Sequence, residues 1–336
     1  MNSSQMTQNQ QQPNVVTNND GNAKKQNGSS IIQLPAHWGH WQRLKNGFIF
    51  LFVRLSLALF THLPFVMLKL FTLTLGCLAP YVAPLERHRA LKHLELAMPK
   101  LSAKERRSIM RRMFLHLALS AAETVHIDRF ISGTNAVQLS PEHREVLDTA
   151  LSEGRGVIII TGHIGNWELL AQVVAHAGYH VASIAKPTYD PRLTKLVQQA
   201  RCRYGMQMIW RGDADVGKKM LGTLRKGGLL ALLIDQDTKV PGDFVPFFGR
   251  PAYTPTTAAS LSLKLSTPVI ITWDHRVNNK HVLHFARLPF TKSGNHDENI
   301  IRLTAAITAE LETAIRQHPE QWVWMHQRWR RQPKDS

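Results

Sequence analysis

Cysteine is nearly absent: the 336 residues contain only Cys77 and Cys202. Two thiols so far apart build no disulfide framework and no paired-cysteine metal site, and they fit a reducing compartment. Acidic residues are the second scarcity. Asp and Glu number 24 against 41 Lys and Arg, which leaves a formal net charge of +17 and an isoelectric point near 10.2. Such a balance implies an acidic partner: nucleic acid, an anionic membrane surface, or a phosphorylated or acidic substrate. Also missing is any uninterrupted apolar run of the roughly 20 residues that an ideal spanning helix needs. No Gly-x-Ser-x-Gly elbow occurs, which argues against a hydrolase with its own serine. No zinc-finger spacing, RNA-recognition signature or clear helix-turn-helix occurs either. A basic nucleic-acid-binding membrane protein therefore stays an alternative resting on charge and interleaved Arg and Trp alone. No internal repeat is visible.

What is present divides the chain into three parts. Residues 1–34 are rich in Asn, Gln, Ser and Gly and poor in large apolar residues. Such a segment buries too little surface to offset its ordering entropy, so a disordered tail is expected. It has no basic start leading into an apolar run and no small-residue cleavage site, so it does not read as a signal peptide. Residues 35–85 form a membrane-anchoring hydrophobic helical segment, apolar from Gly47 to Ala83 but interrupted by Arg54, His62, Pro64 and Lys69. Three arrangements fit: one tilted span near residues 47–68 with Arg54 snorkelling, two shorter helices in the interface plane, or a buried helical hairpin. Residues 86–336 form the third part, read as a catalytic domain.

That part opens on a loop and a basic helix. Ser102-Ala103-Lys104-Glu105 is a capping box and starts a helix running to about Val125. Arg106, Arg107, Arg111 and Arg112 crowd its N-terminal half, where the helix dipole disfavours them. Anionic head groups or a solvated face are the two uses that fit. From Ser140 onward, β-branched apolar runs alternate with amphipathic segments. Strands are expected at 156–161, 181–185, 206–210, 229–234, 269–273 and, at an edge, 282–288, with helices between them and a long helix at 298–317. Repeated strand–helix units with continuously apolar strands predict an α/β fold, a largely parallel central sheet flanked by helices.

His163 directly follows the first buried strand, in Thr161-Gly162-His163-Ile164-Gly165-Asn166-Trp167-Glu168. Gly165-Asn166 makes a tight turn, and a helix begins near Trp167. Ligands bind at the C-terminal ends of strands in open α/β sheets. Glu168, in the helix's first turn, is expected to fold back on His163, fix its tautomer and leave it poised as a general base. A packing role for the two residues is the competing reading. Asp235-Gln236-Asp237 follows another buried strand and so lies at the same sheet edge. Loop hydrogen bonding is the favoured use of that triplet over a divalent metal. Asn166, Arg201, Arg203, Asp235, Gln236 and Asp237 are the candidates for contact with substrate. Phe247, Phe248 and Trp210 suit either an apolar ligand groove or core packing, and the Trp- and Arg-rich stretch from Trp322 to Arg331 suits a membrane interface or closure of the site.

The segment around His163 resembles the His-x4-Asp/Glu motif of glycerolipid acyltransferases. Its longer form is similar to the late acyltransferases of lipid A biosynthesis, the lauroyl and myristoyl transferases. The resemblance continues through Lys186-Pro187, Arg201 and Arg203, Asp235-Gln236-Asp237, Val245 to Gly249, Thr254-Pro255-Thr256 and Pro319 to Trp329, and covers roughly residues 45–331. It implies an acyltransferase that moves a fatty acyl chain from acyl carrier protein to a hydroxyl on an acyl chain of a lipid A precursor of the Kdo2-lipid IVA type. His163 is then the general base and Glu168 the orienting carboxylate. No cofactor or metal is implied, since the thioester carries the activation. The implied partners are the acidic carrier protein, the lipid A precursor and anionic membrane lipids, with no nucleic acid. The implied location is the inner membrane with the catalytic domain in the cytoplasm. A glycerolipid or other membrane-lipid acceptor is the nearest alternative.

Overall fold

The computed structural model describes residues 34–133 and 136–333. The tail expected over residues 1–34 therefore lies outside the described residues, except for Leu34. The apolar segment forms two helices, α1 (His40–His62) and α2 (Phe65–Val82). They part at Leu63-Pro64, because a proline disfavours helical backbone in the residue before it and lacks the N–H that would continue the ladder. A single helix over residues 47–68 is thereby excluded. So is a buried hairpin: Phe48, Phe52, Leu55, Leu59, Val66 and Leu70 are all largely exposed. Each of the two helices is long and apolar enough to cross a membrane. Their exposed apolar faces lack any protein cover among the described residues, as expected of surfaces that meet lipid rather than water.

Two further helices support this pair. The stretch expected to begin as a loop is helical from its first residue, α3 (Pro84–Ala97), with Pro84 at the helix start where its missing N–H costs nothing. The capping box opens α4 (Ala103–Val125): Ser102 Oγ accepts from the Glu105 N–H, and Glu105 accepts from the Ser102 N–H. α2 packs along α4. A short α5 (Ile127–Ile131), not anticipated from the sequence, and α6 (Pro141–Leu151) lead into the sheet.

The strand–helix alternation follows: β1 (Val157–Thr161), α7 (Trp167–His176), β2 (Val181–Ala185), α8 (Pro191–Arg201), β3 (Gln207–Trp210), α9 (Val216–Arg225) and β4 (Leu229–Leu233). A two-stranded antiparallel hairpin, β5 (Gly242–Phe247) with β6 (Arg250–Pro255), precedes α10 (Thr257–Leu265). β7 (Val269–Val277), β8 (Lys280–Arg287) and α11 (His296–Gln317) complete the chain's regular structure, and a 3-10 turn, Pro319–Gln321, follows. The sheet order is β3-β2-β4-β1-β7-β8. The first five strands in that order are mutually parallel, and β8 runs antiparallel at the edge.

Both faces of the sheet are covered, which is why its strands are apolar at nearly every position. Ile158, Ile160, Leu230, Leu232 and Ile271 face α3, α4, α10, α11 and the β5–β6 hairpin. Val157, Ile159, Leu229, Ala231 and Ile270 face α5, α6 and α7. Successive residues of a strand point to opposite faces, so one five-residue strand serves both layers.

Candidate active site

The central strands β1 and β4 are parallel neighbours, with Thr161 opposite Leu233. Two residues beyond each of these, at the same edge of the sheet, stand His163 and Asp235. The Asp235 side chain is wholly buried and is held by three donors. His163 Nδ1 lies 2.8 Å from Asp235 Oδ1, while the His163 backbone N–H (2.6 Å) and Trp322 Nε1–H (2.8 Å) both donate to Oδ2. Burial alone would raise the Asp235 pKa. The adjacent His163 and the three hydrogen bonds outweigh burial and hold the carboxyl well below its usual range. With Nδ1–H bound to this carboxylate, His163 keeps its Nε2 lone pair for a proton from outside. The backbone passes so close here that a Cβ on Gly162 would come within 3.0 Å of Asp235 Oδ2.

The turn after His163 is fixed from behind. Gly165 has φ +61, and a Cβ at this position would lie 1.8 Å from the Asp274 carbonyl oxygen, so only glycine fits. Its N–H donates to the Gln321 carbonyl (2.8 Å), and Ile164 forms a bridge with Trp322. Asn166 caps α7 by accepting from the Leu169 N–H (3.1 Å), donates from Nδ2 to Glu123 (2.9 Å), and donates from its backbone N–H to Asp274 (3.0 Å). His116 Nε2–H donates to the Gly165 carbonyl (3.1 Å), and its Nδ1 accepts from Arg276 (2.7 Å). Burial, then the nearby Arg276 charge, pushes the His116 pKa down to about 3, consistent with a neutral ring using both nitrogens.

In front of His163 a cavity of about 240 Å³ runs between the sheet and α7. His163, Trp167, Glu168, Arg201 and Gln236 line its mouth. Ile159, Leu170, Val174, Val181, Ala231 and Phe285 line its apolar interior. The carboxylate that holds His163 is thus Asp235 rather than Glu168. Glu168 instead pairs with Arg201 through two hydrogen bonds, Nε to Oε2 at 2.9 Å and Nη2 to Oε1. The first turn of α7 points Glu168 across the cavity mouth towards the end of α8, where Gln172 Nε2 fixes the Arg201 carbonyl. A guanidinium offers a carboxylate two parallel donors, a stronger match than one imidazole N–H.

The remaining expected contact residues divide. Arg201 and Gln236 line the cavity. Gln236 Nε2 lies 3.1 Å from His163 Nε2 and 2.6 Å from His326 Nδ1. Asn166 is buried behind the turn as a helix cap, and Asp235 lies beneath His163, so neither faces the cavity. Arg203 is half-exposed and pairs with Asp128, away from the mouth. Asp237 is buried against Arg330 and Arg331. Phe247 and Phe248 pack on Trp322, Trp324 and Trp329 in the core, and Trp210 is absent from the cavity wall. The tryptophans of the C-terminal stretch are buried in the core, with Trp322 and Trp324 fully enclosed, so they do not present a membrane interface, and none of them lines the cavity.

His326 was not foreseen as a site residue. Its ring stands perpendicular to that of His163, with centroids 4.9 Å apart. Burial, then the neighbouring His163, lowers its pKa to about 4. Its only signal was its place within the Trp322–Trp329 block. Among the described residues, no group of three or more His, Cys, Asp or Glu side chains is placed to hold a metal ion.

The model of the family described as bacterial lipid A biosynthesis acyltransferase matches residues 39–331. A lipid A biosynthesis palmitoleoyltransferase of Escherichia coli is 25% identical over 308 residues, covering 89% of this chain and 93% of the relative. A lipid A biosynthesis lauroyltransferase of the same organism is 24% identical over 313 residues, covering 91% and 96%. A phosphatidylinositol mannoside acyltransferase of Mycobacterium tuberculosis is 22% identical over 185 residues, covering 54% of this chain and 57% of the relative.

Proposed function

The chain belongs to the bacterial lipid A biosynthesis acyltransferases, and on that premise we propose that it moves a fatty acyl chain from acyl carrier protein to a hydroxyl on an acyl chain of a Kdo2-lipid IVA-type precursor. Acyl transfer in lipid A biosynthesis is the family's activity; the donor, the acceptor and the residue roles are the proposal. The observation that carries it is the Asp235–His163 hydrogen bond at the mouth of an apolar slot. A base and a channel for hydrocarbon meet at one point.

The acceptor hydroxyl gives its proton to His163 Nε2 as its oxygen attacks the thioester carbonyl carbon. Asp235 stabilises the imidazolium that forms, and it keeps the ring in the Nδ1–H tautomer. The carbonyl becomes a tetrahedral oxyanion, which Arg201, a cation on the cavity wall held by Glu168, would stabilise. The intermediate collapses, the C–S bond breaks, and the departing thiolate takes the proton back from His163. An ester has formed and the carrier's thiol is free. Glu168 acts through Arg201 in this scheme, so the carboxylate role read from the short motif passes to Asp235. The acyl tail lies along Ile159, Leu170, Val174 and Ala231.

The exposed apolar helices α1 and α2 support membrane association, and the net charge of +17 suits an acidic carrier protein and anionic lipids at the cytoplasmic face of the inner membrane. The partial likeness to a phosphatidylinositol mannoside acyltransferase favours a mannosylated glycerolipid as the second acceptor to assay. His163→Ala should lower the rate of acyl transfer from acyl carrier protein to the lipid A precursor by about 10²–10⁴. A folded variant with wild-type turnover would overturn the scheme, and turnover only with the mannolipid would reassign the acceptor.

A further inference from the structure

A second cavity, of about 700 Å³ and open to solvent, is lined by residues of α2, α4, α5 and the β7–β8 hairpin, on the far side of the Gly165–Asn166 turn. Its floor is a buried ionic network that the acyl-transfer scheme leaves without a ligand. Arg276 pairs with Glu123, and His281 Nδ1 donates to Asp274 (2.7 Å). Burial works against a charge on His281, but its hydrogen bond to Asp274 and the close Glu123 carboxylate outweigh that and raise its pKa to about 9. The ring is therefore a cation at neutral pH. Its Nε2–H is buried, stands 3.4 Å from Glu123 and has no partner of hydrogen-bonding geometry. Within the network, two cations balance two carboxylates. The rim adds Lys69, Arg129 and Lys280, none of which makes an ion pair with a carboxylate among the described residues. The neighbouring acid, Asp128, is already taken by Arg203 and Tyr204. Three uncompensated cations thus line a cavity whose buried floor is already charge-balanced, and the His281 Nε2–H on that floor sits 3.4 Å from Glu123 without a well-formed hydrogen bond.

We propose that this cavity binds a phosphate monoester, and that the phosphate is carried by a lipid headgroup. Phosphate matches the site because it accepts several charge-assisted hydrogen bonds at once. The lipid source follows from position. Lys69 lies on α2, whose neighbouring residues Val66, Met67, Leu70 and Phe71 are exposed and apolar. A headgroup in the cavity would leave its acyl chains along that face. The floor residues Glu123 and Asp274 also hold the Asn166 turn behind His163, so the site is tested by binding rather than by turnover.

The full chain in neutral maltoside micelles is titrated with phosphatidic acid, with phosphatidylcholine of the same chains, and separately with inorganic phosphate, and bound lipid is read by native mass spectrometry. Phosphatidic acid should bind at least about tenfold more tightly than phosphatidylcholine. That preference should vanish in Lys69→Gln/Arg129→Gln/Lys280→Gln. It should persist in Lys218→Gln/Arg225→Gln/Lys226→Gln, which removes equal charge from α9 and the residue that follows it. Equal binding of the two lipids, or equal loss in both triple variants, would overturn the site. Displacement of the lipid by an equal concentration of inorganic phosphate would overturn the lipid assignment and leave a soluble-anion site.

Discussion

The two faces of the central sheet are built from the same strands and finished differently. Behind β1 and β4, Phe247, Phe248, Trp322, Trp324 and Trp329 close the core with ring against ring, centroids 4.7–6.3 Å apart. In front, Ala231, Ala171 and Ser183 leave a slot under α7 that larger side chains would fill. The packed face also carries the hydrogen-bond donor that fixes Asp235, and so it holds His163 still. The open face leaves room for an apolar chain beside that same histidine. Rigidity and space are divided between two layers that meet at one sheet edge.

The largest blow to the packed face should be Trp322→Ala. It removes a fully buried indole and one of the three donors to Asp235. A loss of about 3–5 kcal/mol is expected, measured as a lowered thermal midpoint in detergent. A midpoint within a degree of wild type would mean that the tryptophan layer is not what closes this face.

Buried histidines sharpen the comparison through pH. Burial is the first cause that lowers His116 to about 3, His275 to about 4 and His326 to about 4. Unfolding returns each to its ordinary 6.5, so the unfolded chain binds more protons between these values. Stability should therefore fall as pH drops from about 6.5 towards 4. His281, raised to about 9, contributes in the opposite sense. Its share is complete below 6.5 and fades as pH rises through 9. Thermal midpoints at pH 5, 7 and 9 should be highest near neutrality, and a monotonic rise to pH 9 would contradict the His281 assignment.

The smallest effect on stability should come from Ala231→Leu on the open face. The added carbons enter the slot, so the folding change should stay within about 1.5 kcal/mol. Competition between short and long acyl donors should shift about tenfold towards the short ones. An unchanged preference would place the acyl chain elsewhere.

Much of this was legible in the sequence. The limits of β2 were read without error, those of β1 and β4 to within one residue, and the box at Ser102 and Glu105 is formed as expected. These features are local, set by side-chain branching and capping within a few residues. The partner of His163 was not legible. Glu168 is near in sequence, whereas Asp235 lies 72 positions away. Strand order decides the matter, because β1 and β4 are adjacent with Thr161 opposite Leu233, and equal offsets beyond them bring residues 163 and 235 together. The β5–β6 hairpin was missed for another reason: Pro246, Pro251 and Pro255 lower the strand signal, yet each is tolerated in an isolated two-stranded ribbon with free edges. The C-terminal tryptophans were ambiguous because indole suits a membrane interface and a protein core equally well.

The central claim is that Asp235, from a different strand, holds His163 for proton transfer. The most direct test is the rate of acyl transfer by Asp235→Asn in a variant shown to be folded. Asparagine keeps the shape but removes the charge that stabilises the imidazolium, so turnover should fall by about 10²–10⁴. Turnover within a fewfold of wild type would contradict the account and return the orienting role to Glu168.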